Sequence, residues 1–597
     1  MQKLAIIEIM KAGMMDDILS QILNNNESYF FEENQDFHVI STLSGNLKRT
    51  DFSSIDFGDC EQLIRNQSHI NENEELILYE IEHTVKGFNI PIIEYLLFTE
   101  EGTHLNLNIC NNMAIQYYIP VSINENVIGL YNPSSDIYND ECKKVKSENG
   151  VDMTLYERTN QFNEKNMSLC EKECYYQGFD SNNKKVECDC NIKNDFTFNN
   201  EETDIGDLLY KLNSSKSVSN IKVAKCINNV FNTPKKLVTN SGFLSLFIIL
   251  LIFIIIFIIF CKKGKQLLID KIDEIIYKKF TKKNKEVNIV KKNTKKLNKN
   301  KQSANKKIKT QSKNNKRIIS QNTNSNKLGI NTRINNFNNS QTKELCKVNA
   351  MTNGNNNNSI KIEDKPDKEN DYELNTLIYI QAIKYDKRTC CDYYTSLLKN
   401  KQLFLFTFCS FNDYNSGIIK KFIFFFSFSI HYTISALFFN DDTMHQIYID
   451  GGKYNISYQL PKILISAACS TVFLRLILET LILTDRNVLQ VKHQITKSQA
   501  EQMKSRVLKC INIKFAIFFV FNFFLLVLFW FYLTCLNDTY ENTQIYLIEN
   551  TFIAFGISFC YPFIWNIFPS IFRACSLNRR KPNKGCLYSF SKILQLI

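Results

Sequence analysis

Between Gly242 and Cys261 the chain runs twenty residues without a charge (GFLSLFIILLIFIIIFIIFC) and then turns at once to Lys262, Lys263 and Lys265. As a helix rising about 1.5 Å per residue, this run crosses a bilayer core of roughly 30 Å. Basic residues beside a span mark its cytosolic end, so everything before it is expected outside.

The segment that follows has the opposite chemistry. From Lys262 to Arg333 there are 23 Lys and Arg against four acids (Asp270, Asp273, Glu274 and Glu286), whereas the whole chain of 597 residues is only +12. The basic character therefore belongs to one stretch. A nucleic-acid role is excluded for a stretch tethered between membrane spans. Two readings remain for it: attraction to anionic inner-leaflet lipid, at about 1 kcal/mol per basic residue near the surface, or a solvated linker.

Cysteine usage divides the chain the same way. Eight of the 19 cysteines precede the first span: Cys60, Cys110, Cys142, Cys170, Cys174, Cys188, Cys190 and Cys226. In an oxidising compartment an even set reads as four disulfides, with the pairing open. Zinc is the weaker reading, because Cys188 and Cys190 stand too close to share a tetrahedral site well. Glycosylation triplets begin at Asn26, Asn66, Asn166 and Asn213, with others at Asn338 and Asn357 in the presumed cytosol. Residues 1–25 lack the basic start and apolar core of a signal peptide, so a start further upstream is expected.

The expected organisation is a multi-domain membrane protein. Residues 1–235 form a β-rich (α+β), disulfide-stapled ectodomain, with a more helical opening at Ala5 to Leu23. Strand periodicity is seen at Leu76 to Ile81 and Ile115 to Ile119. Cys174-Tyr-Tyr-Gln-Gly-Phe, Asp180-Ser-Asn-Asn183 and Lys184-Lys-Val-Glu-Cys188 read as strand, turn and strand. The span at 242–261 leads into an amphipathic helix over 262–280, with Leu268, Ile272, Ile275 and Ile276 on one face. A Lys/Asn-rich stretch, 281–371, cannot bury enough apolar surface to order itself. An interfacial cytosolic segment is expected over 372–410. An all-α region over 418–575 then supplies four further spans at 418–439, 461–483, 513–534 and 545–571, the last bent by Pro562 and Pro569. Residues 576–597 are a basic tail.

Loop charge gives this five-span topology an independent check. Loops 440–460 and 535–544 carry Asp441, Asp442, Asp450, Asp538 and Glu541 against Lys453, and triplets begin there at Asn455 and Asn537. Loops 484–512 and 572–597 are rich in Lys and Arg. Bias and triplets both put the N-terminal part outside and the C-terminus in the cytosol, with the cell surface as the expected membrane.

Polar groups within spans are the candidate functional residues, because lipid makes them expensive. Arg475 and Glu479 lie one turn apart, which reads either as an ion-pathway pair or as a packing pair with Glu479 reaching for the interface. His431 and Asn522 are expected to make interhelical hydrogen bonds. No Gly-rich phosphate loop, HExxH or Gly-x-Ser-x-Gly is present, and Asp441, Asp442 and Asp450 do not form an EF-hand loop. The chain is therefore expected not to be an enzyme and to use no metal or cofactor.

Several stretches carry a family likeness: Tyr131-Asn-Pro-Ser-Ser-Asp, Asn166 to Cys190, Asp413-Tyr-Asn-Ser, Thr443-Met-His with Gly451-Gly-Lys-Tyr-Asn, and Cys586-Leu-Tyr with Ser591 to Leu596. In these the chain resembles a family of multi-pass surface membrane proteins from unicellular eukaryotes with AT-rich genomes. The family brings no assigned activity, so the resemblance implies architecture alone. Function is read as that of a surface protein, receptor- or adhesion-like, with an ion channel or transporter subunit as the alternative. Its ligand stays open.

Overall fold

The structure is a computed structural model that describes residues 29–32, 37–43, 52–83, 89–111, 113–192, 209–213, 215–232, 237–281, 370–409, 413–453, 455–578 and 584–596. The expected helical opening, Asn26 and nearly all of the Lys/Asn-rich stretch lie outside the described residues, as do Asn338 and Asn357. The chain divides into two compact units. One is Met1–Leu244, Tyr432–Ile463 and Trp530–Thr551; the other is Ser245–His431, Leu464–Phe529 and Phe552–Ile597.

The first unit contains two four-stranded antiparallel sheets. β1 (Tyr29–Glu32), β2 (Phe37–Leu43), β4 (Leu76–His83) and β5 (Ile92–Thr99) lie in the order β1-β2-β4-β5. β3 (Ser54–Asp56), β6 (Ala114–Pro120), β7 (Cys174–Asp180) and β8 (Lys185–Asn191) lie in the order β3-β6-β8-β7. The alternation read in the sequence is what builds them: Ile115, Tyr117 and Ile119 of β6 are buried while Ala114 and Gln116 are exposed. Leu76, Leu78, Ile93 and Leu97 from one sheet and Ile115, Ile119 and Val186 from the other enter a single buried cluster. β7 and β8 form the hairpin expected from Asp180-Ser-Asn-Asn183. The Asp180 carboxylate accepts the backbone N–H of Asn182 at 2.9 Å, and Lys184 takes the left-handed conformation at φ 54.

The eight cysteines make four disulfides: Cys60–Cys110, Cys142–Cys226, Cys170–Cys188 and Cys174–Cys190. The last joins residues that are direct cross-strand partners in β7 and β8.

Within this same unit, the sheet-bearing part is fastened to the segments that connect helices. Asp152, only 4% exposed, accepts four hydrogen bonds: from the backbone N–H of Asn542 (2.7 Å) and Thr543 (2.8 Å), from the Asn542 amide (3.0 Å) and from the Thr543 hydroxyl (2.9 Å). Those N–H groups precede the helix Gln544–Trp565, whose start favours an anion. The Asp441 carboxylate accepts the Ser217 N–H at 2.7 Å, and His445 Nδ1 lies 2.5 Å from Glu157 Oε1. Tyr432 and Asn537 join Ser241 through hydroxyl and amide at 2.8–2.9 Å. A Cβ on Gly242 would stand 2.7 Å from the Leu533 carbonyl oxygen, so only glycine permits this backbone approach.

Among the described residues four helices are long and apolar enough to cross a membrane: Ser241–Thr281, Ile456–Lys492, Lys497–Thr539 and Gln544–Ser576. Gly417–Leu437 with Asp441–Ile449, bent by 73°, makes a fifth if the pair is one span. The protein is therefore a membrane protein with a helical C-terminal region. The helices depart from the expected stretches where apolar runs end but helical character does not. Lys497–Thr539 has neither Gly nor Pro to stop it, and Ala500, Val507 and Ile511 keep a buried face below the apolar run. It is 43 residues long against the 22 expected over 513–534. The segment expected as loop 440–460 holds a helix, Asp441–Ile449, which Asn440 caps through its side chain.

In the second unit an aromatic seam packs the helices: Phe253 meets Phe422 at 5.1 Å, Phe260 meets Phe515 at 5.3 Å, and Phe422 meets Phe518 at 6.0 Å between ring centroids. Two buried charge clusters hold its other elements. Lys420 pairs with Asp413 at 2.7 Å, while Asn415 donates to Asp413 (2.9 Å) and Asp485 (2.6 Å). Arg573 pairs with Asp386 at 2.8 Å, both side chains 2% exposed, and stacks over Tyr393 and Tyr588 at 4.6 and 4.9 Å. Burial pushes the Asp386 carboxyl up, but Arg388 and Arg573 together hold it below the usual carboxylate range.

Removing one partner of such a buried pair strands the other. Asp386→Ala should cost about 3–5 kcal/mol of stability, read by thermal unfolding of the full chain in detergent. The pair is structural if Lys504→Ala, at an ion pair exposed on its Asp273 side, costs under about 1 kcal/mol in the same assay.

Candidate functional site

Among the cavities of the described residues, one in each unit gathers titratable and hydroxyl groups. The first lies in the sheet-bearing unit. It holds about 310 Å³ and is lined by β5 (Ile92, Ile93, Tyr95, Leu96), by the His104–Asn108 segment, by Tyr117 and Ile119 of β6, and by Glu171. Both sheets therefore contribute walls. Tyr95 and Tyr117 meet edge-on at 6.0 Å, and burial raises both hydroxyls above the usual tyrosine range. Glu171 Oε1 receives the Ile93 N–H at 3.4 Å. The rim is polar and open, with His104, Asn106 and Asn108 exposed. Such a lining, in which polar and apolar surface are about equal, suits a small organic or sugar-like ligand.

Behind this cleft sits an acid that sequence alone gave no reason to single out. Glu80 is 0% exposed, and neither of its carboxylate oxygens has a hydrogen-bond partner. It shares a strand face with Leu76, Leu78 and Glu82. Burial, reinforced by Glu82 and opposed by Lys185, pushes its carboxyl up to about 8, so it is protonated at neutral pH.

The second cavity lies wholly in the helical unit and holds about 220 Å³. His431 Nδ1 is 2.8 Å from the Ser427 carbonyl oxygen, which only accepts, so Nδ1 carries the proton. Nε2 is then the acceptor for the Ser558 hydroxyl at 2.8 Å. Thr471 lies 3.0 Å from Ser558 and 2.8 Å from the Ala467 carbonyl oxygen, to which it donates. This makes the interhelical bond expected of His431. Arg475 Nε and Glu479 Oε1 are 3.7 Å apart, and Glu479 is 63% exposed, so the pair is loose. Lys401 lines the same cavity. Its ammonium donates to the Gln595 carbonyl oxygen, and burial and Arg475 lower it to about 7 despite Glu479.

Asn522 and Asn537 correct the expectations for them. Asn522 donates within its own helix, to the Phe518 carbonyl oxygen at 2.7 Å, because a buried amide one turn above a carbonyl reaches it without a second helix. Asn537, expected to carry a glycan, is 2% exposed with its amide committed to Ser241 and Tyr432, so the folded chain offers no site there. Of the other triplets, Asn66, Asn213 and Asn455 are exposed and Asn166 is half-buried. Among the described residues no cluster of three His, Cys, Asp or Glu is arranged to hold a metal. Comparison with family models, with curated proteins and with solved structures finds no match to this chain.

Glu80 sets a pH signature. Its folded value lies above that of an unfolded glutamate, so the stability it contributes is fully present below about pH 4 and is lost as pH rises through about 8. The thermal midpoint of the wild-type chain should fall between about pH 5 and 8 and level off above, and Glu80→Gln should flatten that fall. Parallel curves for the two proteins would show that Glu80 does not titrate in this range.

Proposed function

We propose that this is a surface membrane protein, receptor-like, in which the disulfide-bonded two-sheet unit faces outside and takes a ligand in its cleft. The cleft between the sheets carries this reading, because it is roomy, rimmed by polar groups and built on a scaffold that four disulfides hold. Disulfides point to an oxidising compartment. The acidic 440–460 and 535–544 segments and the basic 484–512 and 572–597 segments support five spans with the C-terminus in the cytosol. The basic stretch after Lys262 would then lie along anionic inner-leaflet lipid. Fastening by Asp152, Asp441 and Glu157 supports signalling better than a passive tether, because ligand binding beside such contacts could bias them.

A channel or transporter is the second reading, favoured by the His431–Ser558 hydrogen bond with the Thr471 hydroxyl beside it in the helical unit. The two readings separate experimentally. Full-length protein on cells should bind a member of a panel of soluble glycans and small organic ligands. Asn108→Arg, at the exposed rim, should weaken that binding at least tenfold without moving the thermal midpoint. Ionic or solute flux through liposome-reconstituted protein, with no ligand retained by the cleft, would favour the second reading instead.

A further inference from the structure

The last two helices of the chain turn their polar residues inward and an apolar stripe outward. In Ile567–Ser576 the buried residues are Pro569, Ser570, Arg573 and Ser576. Phe568 and Ile571 are exposed, and with the exposed Cys575 they recur at helical spacing, so one stripe runs down the end of the Gln544–Ser576 span to a thiol. Gly585–Leu596 repeats the pattern. Tyr588 and Ser591 are buried, while Cys586, Phe590 and Ile593 are exposed along one stripe. On a membrane protein, an outward apolar stripe of this kind lies against lipid.

The two helices lie antiparallel. The Ser591 hydroxyl donates to the Pro569 carbonyl oxygen at 2.8 Å, and Phe572 meets Phe590 at 5.2 Å between ring centroids. At their joined end the Lys584 ammonium donates to the Cys575 carbonyl oxygen at 3.2 Å. Both thiols therefore belong to the turn between the helices, where an apolar span ends and the basic run Arg579, Arg580, Lys581 and Lys584 begins. Neither is disulfide-bonded.

Cys391 supplies the contrast. It is exposed as well, but the other exposed residues of its helix, Cys390–Lys401, are Asp392, Thr395 and Lys399. That face is polar, so no apolar stripe leads away from the Cys391 thiol.

We propose that Cys575 and Cys586 are modification sites, each S-acylated with a long-chain fatty acid whose chain enters the bilayer along its own stripe. Cysteines beside a span or on an amphipathic helix are where such thioesters form. The donor is a long-chain acyl-CoA. The cysteine thiolate attacks the acyl carbonyl carbon, the new S–C bond forms as the bond to the CoA sulfur breaks, and the departing CoA thiolate takes up the proton that the cysteine gave up. Neither sulfur changes oxidation state. One acyl chain alone holds a peptide to a membrane only marginally, whereas two hold it stably, so the pair would pin Gly585–Leu596 to the bilayer surface. The proposal needs the C-terminal end to face the cytosol, where acyl-CoA is found. It does not need the cleft of the sheet-bearing unit to bind a ligand.

The test uses full-length protein expressed in eukaryotic cells. Free thiols are blocked with N-ethylmaleimide, thioesters are opened with neutral hydroxylamine, and each released thiol is tagged with a maleimide polymer that adds one mass step. Cys575→Ser and Cys586→Ser should each lose one hydroxylamine-dependent step and the double variant two, while Cys391→Ser should lose none. Serine replaces an exposed thiol in every case, and gel filtration in detergent checks that each variant stays folded. An equal number of steps in the wild type and the double variant would overturn the proposal, as would a step lost from Cys391→Ser instead. Labelling of Cys586 by an impermeant maleimide on intact cells would overturn it through the topology, with ligand binding by the cleft unaffected.

Discussion

An unpaired charge or polar group removed from water among membrane helices costs several kcal/mol, and this constraint decides where the chain ties itself together. The buried charges of the helical unit meet in compact clusters at helix ends: Asp413, Lys420, Asn415 and Asp485 in one, Asp386, Arg388 and Arg573 in the other. Several hydrogen bonds tie each cluster together, and Tyr393 and Tyr588 cover the Arg573 guanidinium, whose Nη1 alone is left without a partner. The helices between them need only pack, and phenylalanine rings do most of that. Away from those ends, polar groups gather around His431.

The sheet-bearing unit follows a related logic with different chemistry. Its two sheets share one apolar core, and four disulfides limit how far that core opens. Its carboxylates then reach the segments that connect helices, most fully at Asp152, where four donors converge on one side chain. Glu80 is the exception in this unit. It carries an acid into the core with no partner, and the strand stays folded at neutral pH because the acid keeps its proton.

What the sequence made legible was whatever periodicity or composition encodes. The Leu76–Ile81 and Ile115–Ile119 strands, the hairpin around Asp180 and the helices near each apolar run were readable because a single face or a single run specifies them. Long-range partners were not. Asn415 meets Asp485 across 70 residues and Asp152 meets Thr543 across 391, and no local pattern ties either pair. Asn537 shows the limit most clearly: its triplet is a surface signal, but the packing around Tyr432 and Ser241 buries it. The cavity around His431 was half legible. His431, Arg475 and Glu479 stood out as polar residues in apolar runs, whereas Lys401, Ser427 and Ser558 lie in ordinary contexts and join them only through tertiary packing.

Parity of the crossings decides whether Tyr175 and Lys584 lie on opposite sides of the membrane. Among the described residues there are five crossings with Gly417–Leu437 as a span, and four without it. An impermeant thiol reagent applied to intact cells, on full-length protein with its free cysteines replaced by serine and a single cysteine added at Tyr175 or at Lys584, reads this directly. Five crossings predict that position 175 labels in intact cells and position 584 only after permeabilisation. Labelling of both positions in intact cells, or of position 584 alone, would contradict the account.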